Sequence, residues 1–75
     1  MELDELTIDE RKRLDALVSD CEDFRTGRTQ QIVFWYLLNE RHKLGETNGR
    51  LVYMHAMESP TIDPAYLARI VFIPF

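Results

Sequence analysis

Cys21, His42 and Asp63 carry side chains that could act as nucleophile, general base and orienting acid. Nothing in their spacing supports such a triad, and Cys21 lies on the apolar face of a predicted helix. A cysteine on such a face behaves as a small buried hydrophobe, and burial raises the pKa of its thiol and makes it unreactive. We therefore expect a protein without catalytic residues, which is not an enzyme.

The sequence also lacks the usual signals of a metal or phosphate site. Cys21, His42 and His55 show none of the paired i, i+3 or i, i+4 spacings that zinc sites use. The stretch TGRT at 26–29 could hold an anion at a helix N-terminus, but it lacks the other residues of a phosphate loop. A cap and turn explain this stretch better. We expect no metal, no cofactor and no small-molecule substrate.

An unbroken apolar run from Ile32 to Leu38 indicates a protein partner instead. On a helix its side chains point in every direction, and a domain of this size rarely encloses one helix completely. We expect the side around Phe34, Trp35 or Leu38 to stay open for a partner, because aromatic residues are favoured at interfaces. The alternative is that the run is only the core.

Acidic charge at the start of the chain is a second indication of a partner. Residues 1–25 hold nine acidic and four basic side chains, whereas residues 26–75 have a net charge of +1, within a total of −4. This balance argues against a nucleic-acid binder, which needs a basic face. The acids form either a solvated helix face or a surface for a basic protein, as in nucleic-acid mimics. The candidates for partner binding are Asp15, Asp20, Glu22 and Asp23.

The first predicted helix has clear start and stop signals. Thr7 precedes Glu10 by three residues, which is the spacing of a capping box. Gly27 is a natural stop because glycine adopts the left-handed conformation without penalty. With apolar residues at helical spacing between these signals, we expect a helix at about residues 8–25. Its apolar arc consists of Leu14, Leu17, Val18, Cys21 and Phe24.

The second predicted helix contains the apolar run. No turn residue follows the run until Gly45, and this length favours a helix at about residues 29–44 over a buried strand. Arg41, His42 and Lys43 would lie in its last turn, where positive charge is favourable.

Turn signals divide the rest of the chain. GETNG at 45–49 is predicted to be a turn, and residues 50–57 a short irregular or helical piece. Asp63 and Pro64 suit a helix cap and a first helical residue, which predicts a last helix at about 63–73.

These elements predict one all-α domain over residues 1–75, with three to four helices. The alternative is an α+β fold with short strands at 50–57 and 69–73 packed on two helices. The lone cysteine fits a reducing compartment, and the acidic first ten residues lack the features of a signal peptide. The apolar run is also far shorter than the ~20 residues that span a bilayer. We expect a cytoplasmic protein that does not enter the membrane.

A series of residues from Thr26 onward resembles a family of uncharacterised small proteins of bacterial plasmids, integrative elements and phages. In that family a Thr-Gly-x-Ser/Thr turn opens an aromatic-rich helix and a Leu-Asp pair opens the last helix. The resemblance covers about residues 26–72, and it implies only an origin in a mobile element and a helical fold. The matching residues are Thr26, Gly27, Arg28, Thr29, Ile32, Val33, Leu37 and Leu38, followed by Ile62 and Asp63.

We interpret the chain as a small protein–protein interaction module, acting through the aromatic patch, the acidic first helix, or both. An accessory or inhibitor protein of a mobile element, or a homodimer, would fit this description. Two alternatives stay open: a structural homo-oligomer without a separate ligand, and a DNA-binding helix-turn-helix of residues 50–57 and 64–73. The second segment is a poor recognition helix, because Arg69 is its only charged residue.

Overall fold

The computed structural model describes residues 3–72, which form a short 3-10 helix at Leu3–Glu5 and four α-helices. No strand occurs between residues 3 and 72. The prediction of a small all-α domain is therefore confirmed, and the α+β alternative with strands at 50–57 and 69–73 is wrong for every residue in this range. The helices are α1 (Ile8–Arg25), α2 (Gln31–Glu40), α3 (Gly45–Glu58) and α4 (Pro64–Phe72).

α1 has the predicted bounds and the predicted cap. Thr7 Oγ1 accepts a hydrogen bond from the Glu10 N–H at 3.1 Å, and Glu10 Oε1 accepts one from the Thr7 N–H at 2.9 Å. After the helix, Gly27 has a φ of 79°, the left-handed conformation that reverses the chain. Both ends of α1 are thus determined by contacts among neighbouring residues.

α2 is shorter at both ends than the predicted helix at 29–44. It begins after Gln30 and ends at Glu40, so the predicted cations lie beyond its last turn. Lys43 and Gly45 have φ values of 54° and 77°, and neither conformation continues a right-handed helix. α2 therefore ends four residues before position 44, its predicted end.

α3 includes the segment at 45–49 that was predicted to be a turn, and this prediction is wrong. The piece at 50–57 is fully helical and continues the same element. Gly49 is buried inside the helix, where a Cβ atom would meet the ring of Trp35 at 3.8 Å. Packing between α2 and α3 thus overrides the turn signal of Asn-Gly.

α4 starts as predicted. Asp63 Oδ1 accepts a hydrogen bond from the Ala65 N–H at 3.0 Å, and Pro64 is the first helical residue. The described part of the helix ends at Phe72, and the last predicted position, 73, lies outside the described residues.

The core lies between α1 and α3, with α2 and α4 at the sides, and α1 packs against each of the other helices. Phe34 of α2 stacks on Phe24 of α1, with ring centroids 4.4 Å apart and planes 9° from parallel. At the same end of α1, Arg25 donates hydrogen bonds to the carbonyls of Ser59 and Pro60 at 2.6 and 2.8 Å. The largest fully buried side chains are Phe34, Leu14, Leu17, Leu38, Leu67, Val52 and Cys21.

Candidate protein-interaction surface

Two of the aromatic-patch residues predicted for a partner do not lie on the surface. Phe34 and Leu38 are fully buried, so the prediction that they border an open side of α2 is wrong. They lie one turn apart and form the inner row of the helix, which packs on the core. Trp35 is half-buried and keeps part of its ring at the surface.

The open side of α2 consists of Ile32, Val33 and Tyr36, which we call the outer face. Their exposed fractions are 76%, 44% and 61%. Single apolar residues at a surface need no explanation, but a contiguous apolar face is typical of an interaction site. Tyrosine is also enriched at interfaces.

Ile32 and Tyr36 were not among the residues predicted for the open side, which were Phe34, Trp35 and Leu38. The signal that could have selected Ile32 and Tyr36 is Glu40, which continues their row at a spacing of four residues and is exposed. The row of Phe34 and Leu38 carries no charge up to the end of α2. A charge at the end of a helical row indicates the solvent side, because an unpaired charge is rarely buried.

A groove of about 840 Å³ opens beside the outer face, between α2 and α3. Trp35 and Tyr53 meet edge-on in its lining, with ring centroids 5.9 Å apart and planes at 85°. Ile32 belongs to both the outer face and the groove, so the two surfaces are continuous. The remaining lining residues are Gln30, Gln31, Arg50 and Met54.

Arg50 and the N-terminus of α2 both favour the binding of a carboxylate at the groove. Arg50 is the charged residue of the lining, and its guanidinium lies 3.0 Å from the Glu46 carboxylate in an exposed pair. Exposed pairs of this kind contribute little, so Arg50 can pair with another acid. Gln30, at the start of α2, makes no side-chain cap bond within the described chain, and the first turn of α2 contains no acidic residue. The N–H groups and dipole of α2 therefore favour negative charge at the same place.

The acidic candidates of α1 have different surroundings. Asp15 lies 3.6 Å from Arg11, and Asp23 lies 3.8 Å from Arg28. Both pairs are at least partly exposed, so they contribute little to stability. Glu22 is exposed. Asp15 and Asp23 thus each have a nearby arginine that partly balances their charge.

Asp20, the remaining acidic candidate, is buried, and it connects α1 to the end of α2. Its Oδ2 atom accepts a hydrogen bond from His42 Nε2 at 2.6 Å, and Arg41 Nη1 lies 3.3 Å from both carboxylate oxygens. The side chains of Asp20 and His42 are 9% and 7% exposed, whereas Arg41 is 58% exposed. Asp20 therefore faces the interior and is not available to a partner in this structure.

Cys21 is fully buried next to Asp20. Burial raises the pKa of its thiol to about 12, and the carboxylates of Asp20 and Glu22 add to this shift. The thiolate, which is the reactive form, is therefore scarce at neutral pH. This agrees with the expectation that Cys21 packs as a hydrophobe.

His55 and Ser59 lie in contact, as a base and a nucleophile would, but their hydrogen bonds do not fit that role. His55 Nε2 accepts the N–H of Asp63 at 2.9 Å, which assigns the ring proton to Nδ1. Nδ1 then donates to Ser59 Oγ at 2.8 Å. A ring with this tautomer has no lone pair toward the hydroxyl, so it cannot take a proton from Ser59.

The surroundings of His55 favour its neutral form. Burial lowers the pKa of His55 below its ordinary value of 6.5, the Asp63 carboxylate opposes this shift, and Arg25 adds to it. The ring also lies against Tyr66, with centroids 4.7 Å apart. Because an imidazolium cannot accept the Asp63 N–H, the geometry and the lowered pKa agree.

Over residues 3–72 the histidines, cysteine and acids form no cluster of three that could hold a metal ion. No helix in this part of the chain is long and apolar enough to cross a membrane.

No family model, no curated protein and no solved structure matches this chain.

Proposed function

We propose that this protein is a small non-enzymatic interaction module that binds a helix of a protein partner at the outer face of α2 and the groove beside it. The observation that carries this proposal is the continuity of the two surfaces. Ile32 and Tyr36 are 76% and 61% exposed, and Ile32 also lines an apolar groove of about 840 Å³. Grooves of this kind receive the apolar side of an amphipathic helix.

The groove also defines the chemistry of the partner. Trp35 and Tyr53 favour an apolar or aromatic side chain as the inserted residue. Arg50 and the open N-terminus of α2 favour a carboxylate on the partner beside that residue. The partner surface that fits is a helix with an apolar face and an acid near one end.

Other features of the chain support the same class of function. The α4 helix is a poor surface for reading DNA, because Arg69 is the charged side chain that it exposes and base contacts need several polar side chains. Its other exposed residue is Tyr66, and its buried residues are Leu67, Ala68 and Ile70. The resemblance to small proteins of plasmids and phages supports an origin in a mobile element, and an accessory or inhibitor protein of such an element would fit that origin. The buried free thiol of Cys21 supports a reducing compartment such as the cytoplasm.

Site-specific photo-crosslinking in the native host tests the proposal. A photoreactive amino acid replaces Ile32 in one variant and Ile8 in a control. The two side chains are matched, because both are 76% exposed. Ile8 lies on α1, which does not line the groove. We expect covalent adducts from position 32, with the crosslinked peptide identified by mass spectrometry. The purified protein that contains this peptide should then bind the wild type and fail to bind the Tyr36→Glu variant.

An equal yield of adducts at positions 32 and 8 would overturn the proposal. So would a captured protein that binds the wild type and the Tyr36→Glu variant with the same affinity, because its contact would then lie elsewhere.

A further inference from the structure

We infer that the partner at this surface is a second copy of the same chain, with α2 packed antiparallel against α2 of the other copy. This inference rests on the proposed function. An apolar face with an acid near one end is also a description of α2 itself.

The outer face of α2 and its one charge form a self-complementary pattern. Its sequence QIVFWYLLNE carries a single charge, at Glu40 in the last position, and no acidic residue in the first turn. Antiparallel packing places the acidic end of each helix beside the N-terminus of the other, where negative charge is favourable. The helix dipoles then also run in opposite directions. A parallel arrangement would bring the two Glu40 side chains together.

The register follows from the positions of the exposed residues. A two-fold axis between Val33 and Tyr36 packs the Tyr36 ring of each copy on Val33 of the other, next to Ile32 and the mouth of the groove. The same axis places Glu40 opposite residues 29–30 of the other copy, just before the first turn of its α2. Arg50 lines the groove together with Gln30 and Gln31, so it lies at the same end. Each contact occurs twice, as a two-fold interface requires.

The size of this surface indicates a weak dimer. α2 has ten residues, so it is about 15 Å long. Such a helix and the adjoining groove cover less than the ~800 Å² per partner that stable complexes bury. We therefore expect a dissociation constant of about 10 µM to 1 mM. A dimer would also stabilise the domain, because a chain of this size buries only a limited share of its apolar surface in its own core.

Sedimentation equilibrium of the purified chain from about 1 µM to 1 mM tests the inference over this range. The average mass of the wild type should rise with concentration from 8.9 kDa toward twice that value. Tyr36→Glu should raise the dissociation constant at least about tenfold, because it places a charge in the apolar centre of the interface. Ile8→Glu should dimerise like the wild type. Far-UV circular dichroism checks that each variant is folded.

A charge exchange tests the orientation of the two helices. Glu40→Lys and Arg50→Glu should each raise the dissociation constant about two- to fivefold. The double variant should recover part of this loss, because the exchange restores a pair of opposite charges but not the negative charge beside the α2 N-terminus. In a parallel dimer the single Glu40→Lys change would not be rescued by Arg50→Glu. A constant mass of 8.9 kDa for the wild type up to 1 mM, or equal dimerisation of the wild type and Tyr36→Glu, would overturn the inference.

The crosslink from position 32 separates this inference from the proposed function. An adduct between two copies of the chain, at twice 8.9 kDa, supports both. An adduct with a different protein, together with a monomeric purified chain, overturns the second copy as partner and leaves the interaction module in place. Adducts no more frequent at position 32 than at position 8 overturn both.

Discussion

Replacing Asp20 by alanine tests whether its buried contact with His42 holds α1 to the end of α2. The His42 side chain is 7% exposed, and its Nε2–H donates to Asp20 at 2.6 Å. The variant leaves this donor buried without an acceptor, which costs about 1–3 kcal/mol. The contact with Arg41 adds about 0.5 kcal/mol at most, because Arg41 is 58% exposed and the pair is screened by solvent. We therefore expect Asp20→Ala to lower the free energy of unfolding by about 1–3.5 kcal/mol.

Urea unfolding at neutral pH, followed by the fluorescence of Trp35 and by circular dichroism, measures this loss. With a slope of about 1 kcal/mol per molar urea, the midpoint should fall by about 1–3.5 M at an unchanged slope. The matched control is Asp15→Ala on the same helix, whose carboxylate lies 3.6 Å from Arg11 at the exposed surface. This control should change the free energy of unfolding by less than about 0.5 kcal/mol.

A double-mutant cycle identifies the partner that causes the loss. Because His42→Ala removes the orphaned donor, the double variant Asp20→Ala/His42→Ala should lose less than the sum of the two single variants, with a coupling of about 1–2 kcal/mol. Equal stability of Asp20→Ala and Asp15→Ala, or additive losses in the cycle, would refute the assignment of Asp20 to this buried pair. Asp20 would then again be a candidate for partner binding.

Two further predictions concern a helical glycine, Gly49, and a histidine in the last turn of α3, His55. Gly49→Ala should raise the free energy of unfolding by about 0.5–1 kcal/mol, because the position is helical and the new Cβ meets Trp35 at an ordinary 3.8 Å. Gly27→Ala should lower the free energy of unfolding by about 1 kcal/mol, because the backbone there has a φ of 79°. Thermal unfolding compares the two variants, and the same change in stability for both would contradict this prediction. The pKa of His55 in the folded state is below 6.5, so the unfolded state binds the proton more readily. The stability from neutral His55 is present above pH 6.5 and is lost as the pH falls below it. His55→Gln should therefore flatten the decline between pH 7 and 5, and an unchanged decline would exclude His55 as its source.

Local signals were sufficient for the helix boundaries that depend on neighbouring residues. The capping box of Thr7 and Glu10 and the Asp63–Pro64 start involve atoms at most three residues apart, so they can be identified from the sequence. The left-handed stop at Gly27 is equally local. These boundaries of α1 and α4 were predicted correctly for that reason.

The boundary between α2 and α3 could not be obtained in the same way. Asn48–Gly49 is a turn signal in isolation, yet Gly49 lies inside α3 against the ring of Trp35. After α2, Asp20 of α1 accepts hydrogen bonds from Arg41 and His42, which lie more than 20 positions away in the chain. Contacts between distant residues decide both features, and no pattern within one segment contains them.

The sequence by itself determined that this protein is helical, where α1 and α4 begin, and that an apolar run of seven residues needs to be covered. The tertiary structure decided which side of that run stays open, and Glu40, which lies beyond the run, is the sequence signal that agrees with it. Phe34 packs against Phe24 of α1 and Tyr53 of α3, and Leu38 is fully buried. Ile32 and Tyr36 are 76% and 61% exposed. The run is apolar on all sides, so its composition does not distinguish an inner side from an outer one. The positions of the neighbouring helices make that distinction, because they cover one side of α2 and leave the other exposed to solvent.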